Sequence, residues 1–245
     1  MAQWGPLAVA YSGGVDSTLV IKAAYDAFGD RAVAVTSVSP TLPASQLCSA
    51  KKTAVEIGIR HLLVHSDELT IPGYAQNGPN RCYLCRNDLY GRIVQCAPSQ
   101  TVMADGTHLD DLGDTRPGLV AARAWGVKHP LVETGLNKAD VRAIVKALGL
   151  SVWDRPASAC LSSRFLREIP ITYAGLKQIE QAEDALHHLG FRHVRVRYDG
   201  QKASVEVPAD DFARLSESGS AVILQVKRCG FSDVTLAKSQ RSLSQ

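Results

Sequence analysis

The chain has 245 residues, 45% of them hydrophobic and 21% charged, with 27 basic against 24 acidic side chains and a formal charge of +3. At roughly 150 residues per domain, that length predicts one large domain or a medium domain with a small partner. The composition excludes disordered and fibrous classes. The charge is too small to argue for nucleic acid, and no run approaches the ~20 apolar residues of a membrane span.

Residues 6–11 read as a buried strand that runs straight into a glycine loop, too short for the apolar core of a signal peptide. Residues 17–28 follow as a helix with Leu19, Val20, Ala23 and Ala24 inward. Strands are expected at 32–36, 61–65, 101–104 and 129–132, with a helix at 45–57. Such alternation predicts an α/β fold, a parallel sheet with helices on both faces. Ligands in such sheets sit at the carboxyl ends of the strands, and every motif described below falls at one.

The texture changes after about Phe165. Residues 172–189 form an amphipathic helix with Leu176, Ile179, Ala182 and Leu186 on one stripe. Residues 192–198 and 203–207 alternate around Asp199-Gly200, a hairpin signal. Residues 210–215 and 221–229 read as helices, and 234–236 as a last strand. The expected division is 1–165, then a small α+β domain over 166–237, then a polar tail at 238–245.

Ser12-Gly13-Gly14-Val15-Asp16-Ser17 lies between the first strand and the first helix. Its glycines let backbone N–H groups turn toward a phosphate, and the helix start adds partial positive charge. Ser12 and Ser17 can donate to phosphate oxygens, and Asp16 can hold Mg²⁺ against them. A Walker A loop is excluded, since no Gly-Lys-Ser/Thr stands at the required spacing. The pattern matches the loop of enzymes that split ATP into AMP and pyrophosphate.

Cys82-Tyr83-Leu84-Cys85 puts two thiols on one helical turn, able to grip a metal or a cluster edge. Arg81 and Arg86 would favour thiolates. Alone, the motif is open between zinc, redox and cluster roles. Cys160, on the loop Arg155-Pro156-Ala157-Ser158-Ala159-Cys160-Leu161-Ser162-Ser163-Arg164 after a strand end at Trp153, is the candidate third ligand. Cys48, Cys96 and Cys229 read as buried small hydrophobes, and with no secretion signal the six cysteines read as thiols or ligands of a cytoplasmic protein. The segment 105–118 carries four carboxylates and Arg116 at a strand end, suited to Mg²⁺ and phosphate; Asp114 or Thr115 could equally cap the next helix. The seven histidines lack ligand spacing.

With SGGVDS at 12–17, the CxxC, DGTHLDDLGDTRPGL at 105–119 and RPASACLSSR at 155–164, the chain resembles the LarE family over about residues 7–236. These are sulfur transferases with the PP-loop, adenine nucleotide alpha hydrolase-like fold that help make the nickel-pincer nucleotide. The resemblance implies that ATP adenylylates a carboxylate of pyridinium-3,5-biscarboxylic acid mononucleotide, and that sulfur then displaces AMP to leave a thiocarboxylate. Some members sacrifice one cysteine; others hold a [4Fe-4S] cluster on three, with an open iron carrying hydrosulfide. Cys82, Cys85 and Cys160 match the second kind, and sacrificial use of Cys160 is the alternative. The resemblance further implies that Ser12, Gly13, Gly14, Asp16 and Ser17 cradle phosphates, and that Thr36 and Ser37 lie by the adenosine. Asp16 and Asp111 would serve Mg²⁺. Arg164, Arg195, Arg197 and Glu206 would contact the small-molecule nucleotide substrate. It also implies a sulfide or other sulfur donor and a homo-oligomer, often a hexamer. Where the family usually has Pro-Tyr-Gly, this chain has Phe165-Leu166-Arg167, and Ser239-Gln240-Arg241-Ser242-Leu243 stands for the usual glycine and Arg-Ser-Gly run. A tRNA thiolation enzyme of the same superfamily would need a basic face or an added RNA-binding module, and the modest charge and absence of a second CxxC pair argue against it. An ammonia-using relative of the same fold would not need the three cysteines together, and a nucleotide-binding sensor would release no pyrophosphate.

Overall fold

The apolar run after Pro6 becomes β1 (Leu7–Ala10), buried along its whole length. In the computed structural model the described residues are 4–98, 100–113, 116–156 and 159–239. Helix α1 (Val15–Phe28), β2 (Ala32–Val38), α2 (Ala44–Ile57), β3 (Arg60–His65), α3 (Arg81–Cys96) and β4 (Val102–Ala104) follow. The strands form one parallel sheet in the order β3-β2-β1-β4. Central β1 explains its own composition: Leu7 and Val9 enter a core with Val20 and Ile21 of α1, while Ala8 and Ala10 face Tyr90 and Ile93 of α3. Each large side chain so buried contributes about 1.5–3 kcal/mol. β1 is flanked by β2 and β4, so the crevice between β1 and β4 lies where the strand order reverses, the ligand position of open α/β sheets.

Helices α4 (Pro117–Ala124), α5 (Pro130–Glu133) and α6 (Lys138–Ala147) complete this unit. Two strand expectations are corrected here. Residues 129–132 are not a fifth strand: Lys128 bridges Ala104 once, and Pro130 then starts α5, because proline has no N–H for a ladder but suits a first helical turn. Trp153 does not end a strand either, since residues 151–154 are turn. Asp114 and Thr115, expected as helix caps, lie outside the described residues, as does the tail from 240.

The chain divides into a unit of residues 1–71 and 79–155 and a second of 72–78 and 156–245. The expected boundary at 165 therefore moves to 155. The Cys160 segment belongs with the second unit because its partners do: Ser162 Oγ lies 2.9 Å from Tyr74 Oη, and the Phe165 and Tyr198 rings are 4.6 Å apart. Asn77 Nδ2 donates to the carbonyls of Leu166 and Ile169. Phe165 is thus a core residue.

The second unit contains α7 (Tyr173–His188), β5 (Arg195–Asp199), β6 (Lys202–Val207), α8 (Phe212–Glu217), α9 (Gly219–Arg228) and β7 (Asp233–Lys238). Thr172 caps α7 by accepting from the Gly175 N–H at 3.1 Å. The β5–β6 hairpin is antiparallel, and β7 adds parallel to β6 after the α8–α9 crossover. Among the described residues no helix is long and apolar enough to cross a membrane.

Candidate functional site

The loop leaving β1 is shaped by close approach. Gly13 has φ +77°, and a Cβ there would lie 2.9 Å from Ala50 Cβ, so both conformation and space require glycine. Ser17 Oγ donates to the Gly14 carbonyl, 3.2 Å away, and lies 3.2 Å from Ser12 Oγ. Gln46 Nε2 donates to the Ser12 carbonyl at 2.7 Å, and Arg155 Nη1 to that of Gly13 at 3.3 Å. The Ser12 and Gly14 N–H groups donate weakly to Ser17 Oγ and Ser12 Oγ, at 3.3 and 3.4 Å, and the residues that follow open α1, whose N-terminus favours an anion.

Asp16 faces Lys138, whose Nζ lies 2.6 Å from Oδ2. His108 Nε2 is 4.0 Å from Asp16 Oδ1 and 3.5 Å from Asp111 Oδ2, and Asp111 pairs with Arg116. Both carboxylates expected to serve Mg²⁺ are therefore neutralised by side-chain cations. Thr36 is buried, its Oγ1 donating to the Tyr11 carbonyl at 2.7 Å and lying 2.8 Å from His61 Nε2. The one Thr36 hydroxyl proton goes to Tyr11, so His61 Nε2–H is the donor to Thr36, and burial holds the imidazole below its usual pKa. Thr36 thus ties β2 to the end of β1, while Ser37 beside it is half-buried.

Next to this loop, Gly106 after β4 approaches so closely that a Cβ would sit 2.6 Å from the Ser17 amide nitrogen. Its neighbour Asp105 is buried and accepts from Arg86 Nη1 (2.9 Å), Tyr90 Oη (3.0 Å) and the Thr107 N–H (3.0 Å), with His129 Nδ1 at 2.8 Å. Burial alone would raise its pKa, but the His129 hydrogen bond and the Arg86 charge outweigh that and hold it well below the usual carboxylate range. Arg86 immediately follows Cys85, so one carboxylate ties the cysteine helix to the strand end that abuts the glycine loop. Arg86 is committed to Asp105 and Tyr90.

Cys82 is exposed and Cys85 half-buried on the first turn of α3. Cys85 Sγ lies 3.9 Å from Oε1 of Glu68, a buried acid that also accepts from Thr41 Oγ1 at 3.2 Å. Burial pushes the Glu68 carboxyl up. The three other cysteines differ from expectation: Cys48 and Cys96 are exposed and Cys229 half-buried. Cys48 falls on the side of α2 opposite Gln46, Ala50 and Thr53, and Cys96 and Cys229 stand at helix ends.

Cys160 belongs to the second unit, directly before a 3₁₀ turn over Leu161–Arg164. Arg164 is buried and points inward, its Nε and Nη2 each 3.0 Å from a Glu183 oxygen. Arg197 pairs with Glu206 at 3.0 Å and donates to the Ser163 carbonyl at 2.9 Å. Burial first, then the neighbouring Arg164 and Arg197, bring the Arg195 guanidinium down to about 10. A cation crowded by like charges gains from a bound anion. Among the described residues no three His, Cys, Asp or Glu side chains form a group able to hold a metal ion; the thiol pair of α3 supplies two soft donors suited to iron–sulfur or zinc.

No protein-family model matches the chain. An uncharacterised protein of Synechocystis sp. is 42% identical over 93% of this chain and 87% of its own length. The pyridinium-3,5-bisthiocarboxylic acid mononucleotide synthase of Lactiplantibacillus plantarum is 34% identical over 93% of this chain and 84% of its own. The chain belongs to the LarE family. An uncharacterised protein of Methanocaldococcus jannaschii is 27% identical over 93% of this chain and 87% of its own. The parallel sheet with its flanking helices is accordingly an α/β PP-loop fold.

Sequence reasoning missed several groups around the loop of this LarE-family chain. Lys138 had a local signal: Asn137 and Asp140 form a capping box at the start of α6, followed by Val141, Ile144 and Val145 at helical spacing. Arg155 stood in a quoted motif without a role. Glu68 and Gln46 had no local signal, because tertiary packing alone brings them to Cys85 and Ser12.

Proposed function

We propose that this chain is an ATP-dependent sulfur transferase that converts a carboxylate of pyridinium-3,5-biscarboxylic acid mononucleotide into a thiocarboxylate. Family membership supports the product class, since the 34% identical relative is named for a bisthiocarboxylic acid mononucleotide. The observation that carries the ATP half is the phosphate loop at the strand-order reversal, with Lys138 and Arg155 beside it.

In this reading the N–H groups of 13–17 and the Ser12 and Ser17 hydroxyls receive the β- and γ-phosphates. Asp16 and Asp111 are the carboxylates that would hold Mg²⁺, which would offset phosphate charge, and the Lys138 ammonium beside Asp16 would pair with phosphate. Thr36 and Ser37 border the adenosine. A substrate carboxylate oxygen attacks the α-phosphorus, the bond to the β-phosphate oxygen breaks, and pyrophosphate leaves. Sulfur then attacks the acyl carbon, the carbon–oxygen bond to AMP breaks, and AMP departs with its electron pair. Arg195, Arg197 and Glu206 orient the nucleotide substrate. Cys82, Cys85 and Cys160 are the thiolates that would hold a [4Fe-4S] cluster, a group whose open iron supplies a soft sulfide nucleophile. A sulfide donor recharges the site, and a homo-oligomer is part of the reading.

The test follows pyrophosphate exchange into ATP and thiocarboxylate formation in parallel. Cys160→Ala should keep substrate-dependent exchange and lose thiocarboxylate. Undiminished thiocarboxylate formation would overturn the role of Cys160.

A further inference from the structure

One guanidinium grips the Cys160 turn at three points. Arg164 offers five N–H donors in a fixed plane, and each of its three nitrogens is engaged within the second unit. Nε and Nη2 form a bidentate pair with Glu183 of α7. Nη1 donates to the Ala159 carbonyl at 2.6 Å, to the Cys160 carbonyl at 3.2 Å, and to Ser163 Oγ at 3.1 Å. Glu183 is fixed in turn: its Oε1 accepts from the Val196 N–H of β5 at 3.0 Å. The arginine and glutamate side chains are 5% and 8% exposed, which leaves little surface for a ligand.

We infer that Arg164 and Glu183 are positioning residues that fix the backbone on both sides of Cys160, and that Arg164 does not itself bind substrate. Such a clamp matters because a single 3₁₀ turn has little cohesion of its own. Within it the Ser163 N–H donates to the Cys160 carbonyl at 2.9 Å and the Phe165 N–H, more weakly, to that of Ser162 at 3.3 Å. A bidentate, charge-assisted contact is the strongest device available to hold it. Leu161 and Ser162 are buried, so the clamp and the core seize the turn from two sides and leave the half-buried Cys160 at its edge. Lysine could not reproduce the arrangement, since its ammonium lacks the planar fork. The importance of this clamp for sulfur transfer rests on the function proposed above; the clamp itself does not.

The experiment uses the full chain under reducing conditions without added iron. Alkylation by iodoacetamide is followed at each of the six cysteines by peptide mapping, for the unmodified chain, Arg164→Lys, and the double variant Arg164→Met with Glu183→Gln. The double variant leaves no buried unpaired charge and keeps an acceptor for the Val196 N–H, so it should fold even if the single one does not. In both variants alkylation of Cys160 should rise about tenfold, the effect of losing one charge-assisted hydrogen bond on a local opening. Cys48, Cys82, Cys85, Cys96 and Cys229 should be unchanged. An unchanged Cys160 rate, or a parallel rise at all six cysteines, overturns the clamp. In sulfur transfer, a lower kcat at constant KM agrees with positioning, whereas a raised KM at constant kcat would make Arg164 a substrate contact and overturn the inference. If the unmodified chain makes no thiocarboxylate, the proposed function fails while the alkylation result still decides the clamp.

Discussion

The glycine loop after β1 and the Cys160 turn are two short segments held in different ways. The loop owes its shape mainly to backbone, with a left-handed Gly13, a Gly106 with no room for a side chain and hydrogen bonds within five positions, while Gln46 and Arg155 add distant bonds to its carbonyls. The Cys160 turn is held by side chains from distant positions, with Glu183 19 residues from Arg164 and Arg197 34 from Ser163. A backbone-made site tolerates changes around it but not a single added carbon inside it. A side-chain-made site fails when one charged partner is removed.

The contrast is sharpest at Gly106. Alanine there puts a carbon against the Ser17 nitrogen, a backbone atom that cannot rotate away. Gly106→Ala should lower pyrophosphate exchange by about a hundredfold, the scale of an ångström-sized misplacement, while Cys160 alkylation stays as in the unmodified chain. Equal effects at both places would dissolve the distinction between the two segments.

Asp105 is where the first unit also relies on side chains. Asp105→Asn removes the charge facing Arg86 and His129 and should cost about 2–3 kcal/mol in urea unfolding, less than a fully buried pair because Arg86 is partly exposed. Its folded pKa lies below the unfolded one, so its stabilisation is complete above about pH 4 and is lost as pH falls toward the folded value. The unmodified chain should therefore lose stability below pH 4 more steeply than Asp105→Asn. Removing the α7 cap in Thr172→Ala should cost about 1 kcal/mol. Lys22→Met, which breaks a solvent-facing pair with Asp26, should change stability by less than about 0.5 kcal/mol.

The same contrast explains what could be read from the sequence. The glycine loop, the CxxC turn and the strand–helix alternation are local patterns, and β1 to β4, α1, α2 and α7 stand close to where the periodicity puts them, whereas α3 and α6 are not among the expected elements. The exceptions are physical. Residues 129–132 look like a strand by composition, yet Pro130 and the single bridge at Lys128 decide for a helix. Arg164 is legible as a cation near Cys160, but its partner Glu183 follows on a helix whose stripe reveals only which face is buried. Lys138 was findable from its capping box. Glu68 beside Cys85 was not, since nothing within its own segment refers to α3.

The most direct measurement counts iron and acid-labile sulfide per chain in anaerobically prepared protein and records intact mass before and after turnover with ATP. Three-cysteine cluster chemistry predicts about four irons and an unchanged protein mass after product has formed. Absence of iron, with a mass loss of one sulfur mapped to Cys160, would contradict it and make the enzyme a single-turnover sulfur donor.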